Sequence, residues 1–477
     1  MTLLWTSEDL IAAMAGRPFG TLPAGVNGIS IDSRTVAPGD AFFAIKGDRV
    51  DGHNFASLAV ANGAELLVVS EAKLPALGRL VTPMIVVDDV LEALRLLGIA
   101  ARARTGARII AVTGSVGKTT TKEMLRLALS PSGRVHAAVA SFNNHWGVPV
   151  TLARMPADTE YGVFEIGMNH PGEITPLVHQ VRPHVAIITT IAAAHLGNFH
   201  NLKEIAAAKA EIFDGVEPGG HVLLNRDNAQ FGFLEKAAQT AGIVHIHSFG
   251  QHAKAEYRMA EYDGGSERST LWATIGGETL EVEIGAPGRH IAENAVAALA
   301  AVSLSGADVH KAAAAFATLS AVKGRGARHR LAIGHGSFTL IDESYNANPA
   351  SMRAAIAVLA ASVPQGQGRR IAVLGDMLEM GEFAAKVHGE LASVLLAAGI
   401  EHVWLAGPEM AALKNELPDS VSVAYHDTTD ALAAFAAASV GEGDVVMVKS
   451  SLGLGFGKII ATLLDMYPAF SDTGRLN

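Results

Sequence analysis

Residues 109–122, Ile-Ile-Ala-Val-Thr-Gly-Ser-Val-Gly-Lys-Thr-Thr-Thr-Lys, leave a folding chain few choices. Ile109 to Val112 is an apolar run long enough for a buried strand. Thr113-Gly114-Ser115-Val116-Gly117 breaks that pattern, and Lys118-Thr119-Thr120 opens a helix that reads on through Met124, Leu125 and Leu127. A strand, a glycine loop and a helix in this order make a phosphate cradle. Backbone N–H groups of the loop and of the helix N-terminus point at an anion, and glycine permits close approach. The expected phosphate contacts are Gly114, Ser115, Val116, Gly117, Lys118, Thr119 and Thr120. Lys118 would reach the β- and γ-phosphates, and the Thr119 hydroxyl would sit on Mg²⁺. The common form of this loop wants a glycine where this chain has Val112, and Gly114 stands in for it.

Length and composition limit what surrounds the loop. A chain of 477 residues suits about three domains of about 150 residues each. With 49% hydrophobic and 18% charged residues it can bury sizeable cores and does not read as disordered. A net charge of −10 without a basic stripe argues against a nucleic-acid partner. There are no cysteines, so disulfides, thiolate metal sites and cysteine nucleophiles are excluded, which suits a cytoplasmic protein. The N-terminus has no basic region followed by an apolar run, so no signal peptide is expected. No uncharged apolar stretch reaches the ~20 residues of a membrane helix, so no membrane insertion is expected.

The chain divides into three α/β domains. Residues 1–87 form a small one, with a helix capped by Ser7, strands at 28–34, 40–47, 66–70 and 84–87, and a helix beginning at Asp51. Residues 88–322 form the central domain. It opens with an amphipathic helix that turns Leu91, Leu94, Leu97 and Ile99 inward, then enters the phosphate loop. Strands at 161–166, 185–190 and 221–225 alternate with helices and imply a mostly parallel sheet. Short alternating runs with Gly-Gly turns over 256–283 imply an antiparallel patch. Residues 323–477 form an open Rossmann-like sheet that starts at the basic stretch 323–330 and has strands at 338–342, 371–374, 402–406, 421–425 and 444–448. Its Gly453–Lys458 run follows the last strand rather than the first, so it is not a dinucleotide fingerprint.

In an open α/β sheet the carboxyl ends of the strands face the ligand. Glu165 ends one central strand and can hold Mg²⁺ through a carboxylate oxygen. His195 follows the next strand and is a candidate second metal ligand. Asn143-Asn144-His145-Trp146-Gly147-Val148-Pro149 has the composition of a binding loop, with a polar turn as the plainer reading. Lys209 sits among alanines on a helix, where a solvated lysine is the ordinary reading.

Taken in order, T-G-S-x-G-K-T-T, F-N-N-x-x-G-V-P, E-I-G-M-N-H-P-G-E-I, A-A-x-H-L-x-x-F and A-K-A-E-I-F resemble the ATP-dependent Mur ligases of peptidoglycan synthesis. The likeness covers nearly the whole chain. D-S-R at 32–34, F-F-A-I-K-G at 42–47 and D-G-H-x-F at 51–55 are similar to the family's uridine-nucleotide-binding domain. The resemblance therefore implies substrate contacts from Ser33, Arg34, Phe43, Lys46, Gly47, Asp51 and His53. G-R-H-x-x-x-N-A at 288–295 resembles the adenine side and implies a contact from Asn294. The segments at 342–352 and 374–382 are most similar to the members that add D-alanyl-D-alanine to a UDP-MurNAc-tripeptide. The same likeness implies ATP, two Mg²⁺ ions and an acyl-phosphate intermediate. One metal would use Thr119 and Glu165, and the second His195 and a carbamate on Lys209. Lys118, Lys209, His195 and Asn143 would act at the reacting groups, and Asn144 would help to position substrate. An arginine from the last domain would meet the γ-phosphate. Arg325 and Arg328 are both open, with Arg328 favoured by its distance from Asp342, and Glu343 or Asp342 would touch nucleotide. Tyr345, Asn346 and Asn348 would face the amino substrate. The implied protein is a cytoplasmic monomer.

Overall fold

The computed structural model describes residues 3–48, 50–139, 141–194 and 196–470. Three α/β sheets follow one another along the chain. The central sheet has nine strands, and the phosphate-loop strand Arg108–Thr113 lies deep inside it. It pairs in parallel with Tyr161–Glu165 on one side and Val185–Ile188 on the other. Parallel pairing continues through His221–Asn225 and His245–Gly250 to Tyr257–Gly264. Tyr257–Gly264, Ser269–Ile275 and Glu278–Ile284 then form the antiparallel patch expected from their turns.

Strand alternation sends successive side chains of the loop strand to opposite faces. Ile110 and Val112 pack with Met124, Leu125 and Leu129 of the helix Lys118–Leu129. Ile109 and Ala111 pack with Phe164, Leu177 and Ile205 on the other face. The helix Arg289–Leu304 lies behind the loop helix and buries an unbroken row from Ala295 to Val302. Most of those residues are alanine, and so small a side chain lets two helices approach closely.

The N-terminal sheet runs in the order Arg17–Phe19, Met84–Val87, Ala64–Ser70, Asp40–Phe43, Gly28–Ser30, with the first strand antiparallel. The first helix is capped by Thr6, which accepts from the Asp9 N–H; Ser7 instead donates to the Pro23 carbonyl. The helix Val90–Ala103 buries Val90, Ala93, Leu94, Leu97 and Ala101 in a core shared with this sheet and with Val150 and Ala153 of the central lobe. Leu91 is half-buried, but Ile99 points outward at 39% exposure, because it falls off the stripe that Leu94 and Leu97 define.

The C-terminal sheet has six strands, all parallel except its edge. That edge strand, Ala327–Ile333, is formed by the basic segment that reads as a domain start. The lobes are stitched together locally. Trp5 Nε1 donates to the Ala153 carbonyl at 2.8 Å, and the Arg104 guanidinium lies 3.3 Å from the Trp5 ring centre. Leu196 packs into both the central and the C-terminal core, and the Gly197 N–H donates to the Glu379 carbonyl at 2.8 Å.

Candidate active site

The phosphate loop is held open by two glycines in the left-handed region, Gly114 at φ +146° and Gly117 at φ +90°. A Cβ at Gly114 would lie 1.9 Å from Thr189 Oγ1, and one at Gly117 would lie 2.6 Å from Asn294 Oδ1. Both positions therefore exclude a side chain by conformation and by space. The Ser115 N–H donates to the Thr190 carbonyl at 2.8 Å, and Thr189 Oγ1 donates to the Val116 carbonyl at 2.6 Å, which straps the loop to the end of Val185–Ile188. No side chain caps the helix that starts at Lys118, so its first N–H groups keep their capacity for an anion. Lys118 Nζ donates to the Gly114 carbonyl at 2.8 Å. Burial lowers its pKa, Glu165 opposes that shift, and Arg325 adds to it.

Glu165 is 2% exposed and sits at the last position of its strand. One carboxylate oxygen accepts from Thr119 Oγ1 at 2.8 Å, and the other accepts from Asn143 Nδ2 at 2.7 Å. Ser141 Oγ lies 3.2 Å from Thr119 Oγ1. Hydroxyl and carboxylate oxygens converging beside a phosphate loop are a hard donor set that fits Mg²⁺. Among the described residues no three His, Cys, Asp or Glu side chains cluster to hold a metal, so further donors would have to come from phosphate oxygens or water. His195 lies outside the described residues.

Lys209 is not the solvated lysine of the ordinary reading. It is 1% exposed, at the end of the helix Leu202–Ala210. Burial, and then the nearby Lys118 charge, hold its pKa well below the usual 10.5, while Glu211 opposes them.

A cleft of about 530 Å³ opens over the loop, walled by the central and C-terminal lobes. Ser115 to Thr120, Asn143, Glu165 and Asn294 line one wall, and Arg325, Glu343, Tyr345, Asn346, Asn348 and Lys449 line the other. Arg325, not Arg328, is the arginine that reaches it. Arg328 lies on the edge strand and donates to Ser362 Oγ at 3.1 Å instead. The Arg325 guanidinium stands 4.3 Å from the Tyr345 ring centre. Glu343 faces the cleft, whereas Asp342 is spent internally on the Ser344 and Gly324 N–H groups. The sequence reading missed Lys449. Its Nζ bonds Glu343 at 3.2 Å and the Asn346 carbonyl at 2.9 Å. A lysine closing the apolar run Val-Val-Met-Val was the signal to find it by, since it marks a strand's carboxyl end.

Other expected contacts are engaged elsewhere. Phe43 is fully buried in the N-terminal core and cannot touch a ligand, because its strand is covered on both faces, Phe43 packing in one core and Phe42 in the other. His53 is 6% exposed, with Nδ1 on Asp51 at 2.6 Å and Nε2 accepting from the Ser70 N–H at 3.0 Å. Asp51 also pairs with Lys73 at 2.8 Å; burial pushes its pKa up, but Lys73 and His53 outweigh it and the carboxyl stays well below its usual range. Asp51 and His53 therefore brace the lobe. Ser33 is buried, with its carbonyl accepting from Asn62 Nδ2. Arg34, paired with Asp32 at 2.6 Å, and Lys46 remain exposed just past the carboxyl ends of neighbouring strands. Gly47 abuts Trp146, whose ring would meet a Cβ there at 2.7 Å. Asn144 does not line the cleft; its carboxamide oxygen accepts from the Gly147 N–H at 2.9 Å and closes the turn into the helix Gly147–Ala153. Asn348 lines the cleft, but its side chain caps Pro349–Ala361.

A phosphate cradle with adjacent hard oxygens, faced by arginine and lysine from a second lobe, defines a P-loop enzyme that acts on a nucleoside triphosphate between lobes. Family models agree in detail: the Mur ligase catalytic domain matches residues 25–102, the Mur ligase middle domain 112–302, and the Mur ligase glutamate ligase domain 324–452. The chain belongs to the Mur ligase family. It is 32% identical to the UDP-N-acetylmuramoyl-tripeptide–D-alanyl-D-alanine ligase of Rickettsia prowazekii over 96% of this chain and 99% of that one. It is 35% identical to the ligase of the same name from Escherichia coli, over 81% of this chain and 83% of that one. A crystal structure of MurF from Acinetobacter baumannii superposes with a TM-score of 0.82 at 29% identity, covering 97% and 99% of the two chains.

Proposed function

We propose that this chain is the ATP-dependent ligase that joins D-alanyl-D-alanine to a UDP-MurNAc-tripeptide in peptidoglycan precursor synthesis; its relatives are named UDP-N-acetylmuramoyl-tripeptide–D-alanyl-D-alanine ligases. The observation that carries this reading is one cleft in which Lys118, Thr119 and Glu165 of the central lobe face Arg325, Glu343 and Lys449 of the C-terminal lobe. The γ-phosphoryl group of ATP passes to the terminal carboxylate of the tripeptide, and ADP leaves. The amine of D-alanyl-D-alanine then attacks the acyl phosphate, a C–N bond forms, and phosphate leaves.

Joining two anions is the electrostatic problem here. Lys118 and the uncapped helix N-terminus neutralise one side of the moving phosphoryl group, and Arg325 neutralises the other. Asn143, anchored on Glu165, would hold the acceptor carboxylate in line. Thr119 and Glu165 would hold Mg²⁺, which supplies charge neutralisation and orients phosphate oxygens. Lys209 is the residue to carry a carbamate, because burial and the Lys118 charge depress its pKa and so favour the neutral amine, the form that is nucleophilic toward CO₂. Carbamylation would turn it, with His195, into ligands of a second Mg²⁺. Tyr345 and Asn346 face the amino substrate, and Asn294 faces the nucleoside. Residues 1–87 hold the nucleotide sugar through Arg34, Lys46 and Gly47, residues 88–322 hold ATP, and residues 323–477 bring the acceptor amine. Among the described residues no helix is long and apolar enough to cross a membrane, and the reaction suits the cytoplasm, where ATP is made. A monomer suffices, since every group named lies in one chain.

The test is ADP release against a panel of substrates. Turnover should require both the UDP-MurNAc-tripeptide and D-alanyl-D-alanine. Turnover with a dipeptide nucleotide and a free diamino acid, but not with this pair, would reassign the chain to another step of the family.

A further inference from the structure

At the end of the central sheet opposite the cleft, three histidines lie on two adjacent parallel strands. His221 opens His221–Asn225, His245 opens His245–Gly250, and the register pairs His221 with His245 and Leu223 with His247. Residues 245 and 247 share a face, so both rings flank His221, with centroids at 5.0 and 5.2 Å. His221 Nδ1 lies 3.0 Å from His247 Nε2. The other nitrogen of His247, Nδ1, lies 2.9 Å from a Glu256 carboxylate oxygen. An ionised carboxylate only accepts, so His247 Nδ1 carries the proton, and in the neutral ring Nε2 then presents its lone pair to His221.

From this arrangement we propose that His221 and His247 form a two-imidazole chelate for a late first-row divalent ion such as Zn²⁺, oriented by Glu256 behind His247. Two nitrogens bound at 2.0–2.1 Å to a tetrahedral ion stand about 3.3 Å apart, so the pair must open by a few tenths of an ångström and both rings must turn to aim their lone pairs at the ion instead of at each other. The carboxylate behind one imidazole is the arrangement that fixes ring orientation in histidine metal sites. Burial first, and then His247, His245 and Arg108, hold the His221 pKa below its usual value against the pull of Glu256. When the ion binds, the His221 Nδ1 proton moves to Nε2 or to solvent, and both facing lone pairs go to the metal. Among the described residues no third ligand completes the set, so the remaining positions belong to water and the affinity is modest. Imidazole donors select Zn²⁺ over Mg²⁺, which keeps this site chemically apart from the oxygen donors at Thr119 and Glu165.

The experiment is a Zn²⁺ titration of tag-free, chelator-stripped protein against a chromophoric chelator, with millimolar Mg²⁺ present throughout. Wild type should bind one equivalent that His221→Ala and His247→Ala each remove. Glu256→Gln should weaken that equivalent by about 10–100-fold. Thermal melts check that the variants fold; His221→Asn and His247→Gln replace any alanine variant that does not. Absence of Zn²⁺ binding by wild type, or unchanged binding in folded histidine variants, overturns the proposal. Neither result depends on turnover, so the reading of the catalytic cleft stands or falls separately.

Discussion

At the scale of single residues, Lys209 departs furthest from its surface appearance in the sequence. A lysine between alanines near a helix end is ordinarily solvated, yet this one is 1% exposed and close to Lys118. Its depressed pKa makes a two-part prediction. In the unfolded chain the amine titrates near 10.5, and in the native chain well below it. Between those values the unfolded state binds more protons, so stability rises with pH. In CO₂-free buffer, Lys209→Met should therefore be more stable than wild type at pH 7, with the advantage shrinking by pH 9. Urea denaturation at the two pH values measures this, and a constant difference would contradict it. Turnover behaves oppositely: Lys209→Ala should be inactive and regain part of its rate with acetate or formate. Composition conveys none of this, because burial of one amine is set by helices distant in sequence.

Among elements, the edge strand Ala327–Ile333 shows what local pattern can and cannot resolve. The segment carries consecutive basic residues and reads as a domain start, not as a strand. It becomes a strand because its partner Gly336–Glu343 is buried and presents a free edge. That pairing decides between two arginines that the sequence leaves open. Arg325 precedes the strand and turns into the cleft, whereas Arg328 is committed to Ser362. Arg325→Ala should lower turnover by roughly a thousand-fold or more, as for arginines that meet a transferring phosphoryl group from a second lobe. Its thermal stability should change little. Arg328→Ala should do the reverse, losing about 1 kcal/mol with turnover within a few-fold of wild type. Steady-state ADP release and denaturant melts on the two variants separate these outcomes. The parallel strands around the phosphate loop were legible, because β-branched apolar runs between glycine turns have few other destinies. His245–Gly250 and Val135–Ala137 were not, because each is short and half polar and is held in place by its neighbours.

For the whole molecule, the cleft lies between lobes that also meet at Leu196 and at the Gly197–Glu379 hydrogen bond. Such a seam can hinge, and ATP with its anionic partners would draw Arg325 and Lys449 toward Lys118. Solution scattering should give a smaller radius of gyration with a non-hydrolysable ATP analogue and UDP-MurNAc-tripeptide than without; identical profiles would count against closure. The sequence predicted three α/β parts in the right order, and Lys118, Thr119, Glu165 and Asn143 do converge on one cleft. It erred where a motif residue serves its own lobe. Phe43, Asp51 and His53 stand in conspicuous motifs, yet their side chains are consumed in packing and bracing, which a linear pattern cannot distinguish from ligand contact.

The contact between Gly47 and Trp146 has a practical side. Of the chain's four tryptophans, Trp5 and Trp404 are 3% exposed within cores, and Trp272 lies on an antiparallel strand near the sheet's far edge. Trp146 stands instead at a seam, between the N-terminal lobe and the loop that carries Asn143. Replacing the other three with phenylalanine would leave a chain whose ultraviolet emission belongs to that seam, an optical label already in place beside the proposed nucleotide-sugar pocket.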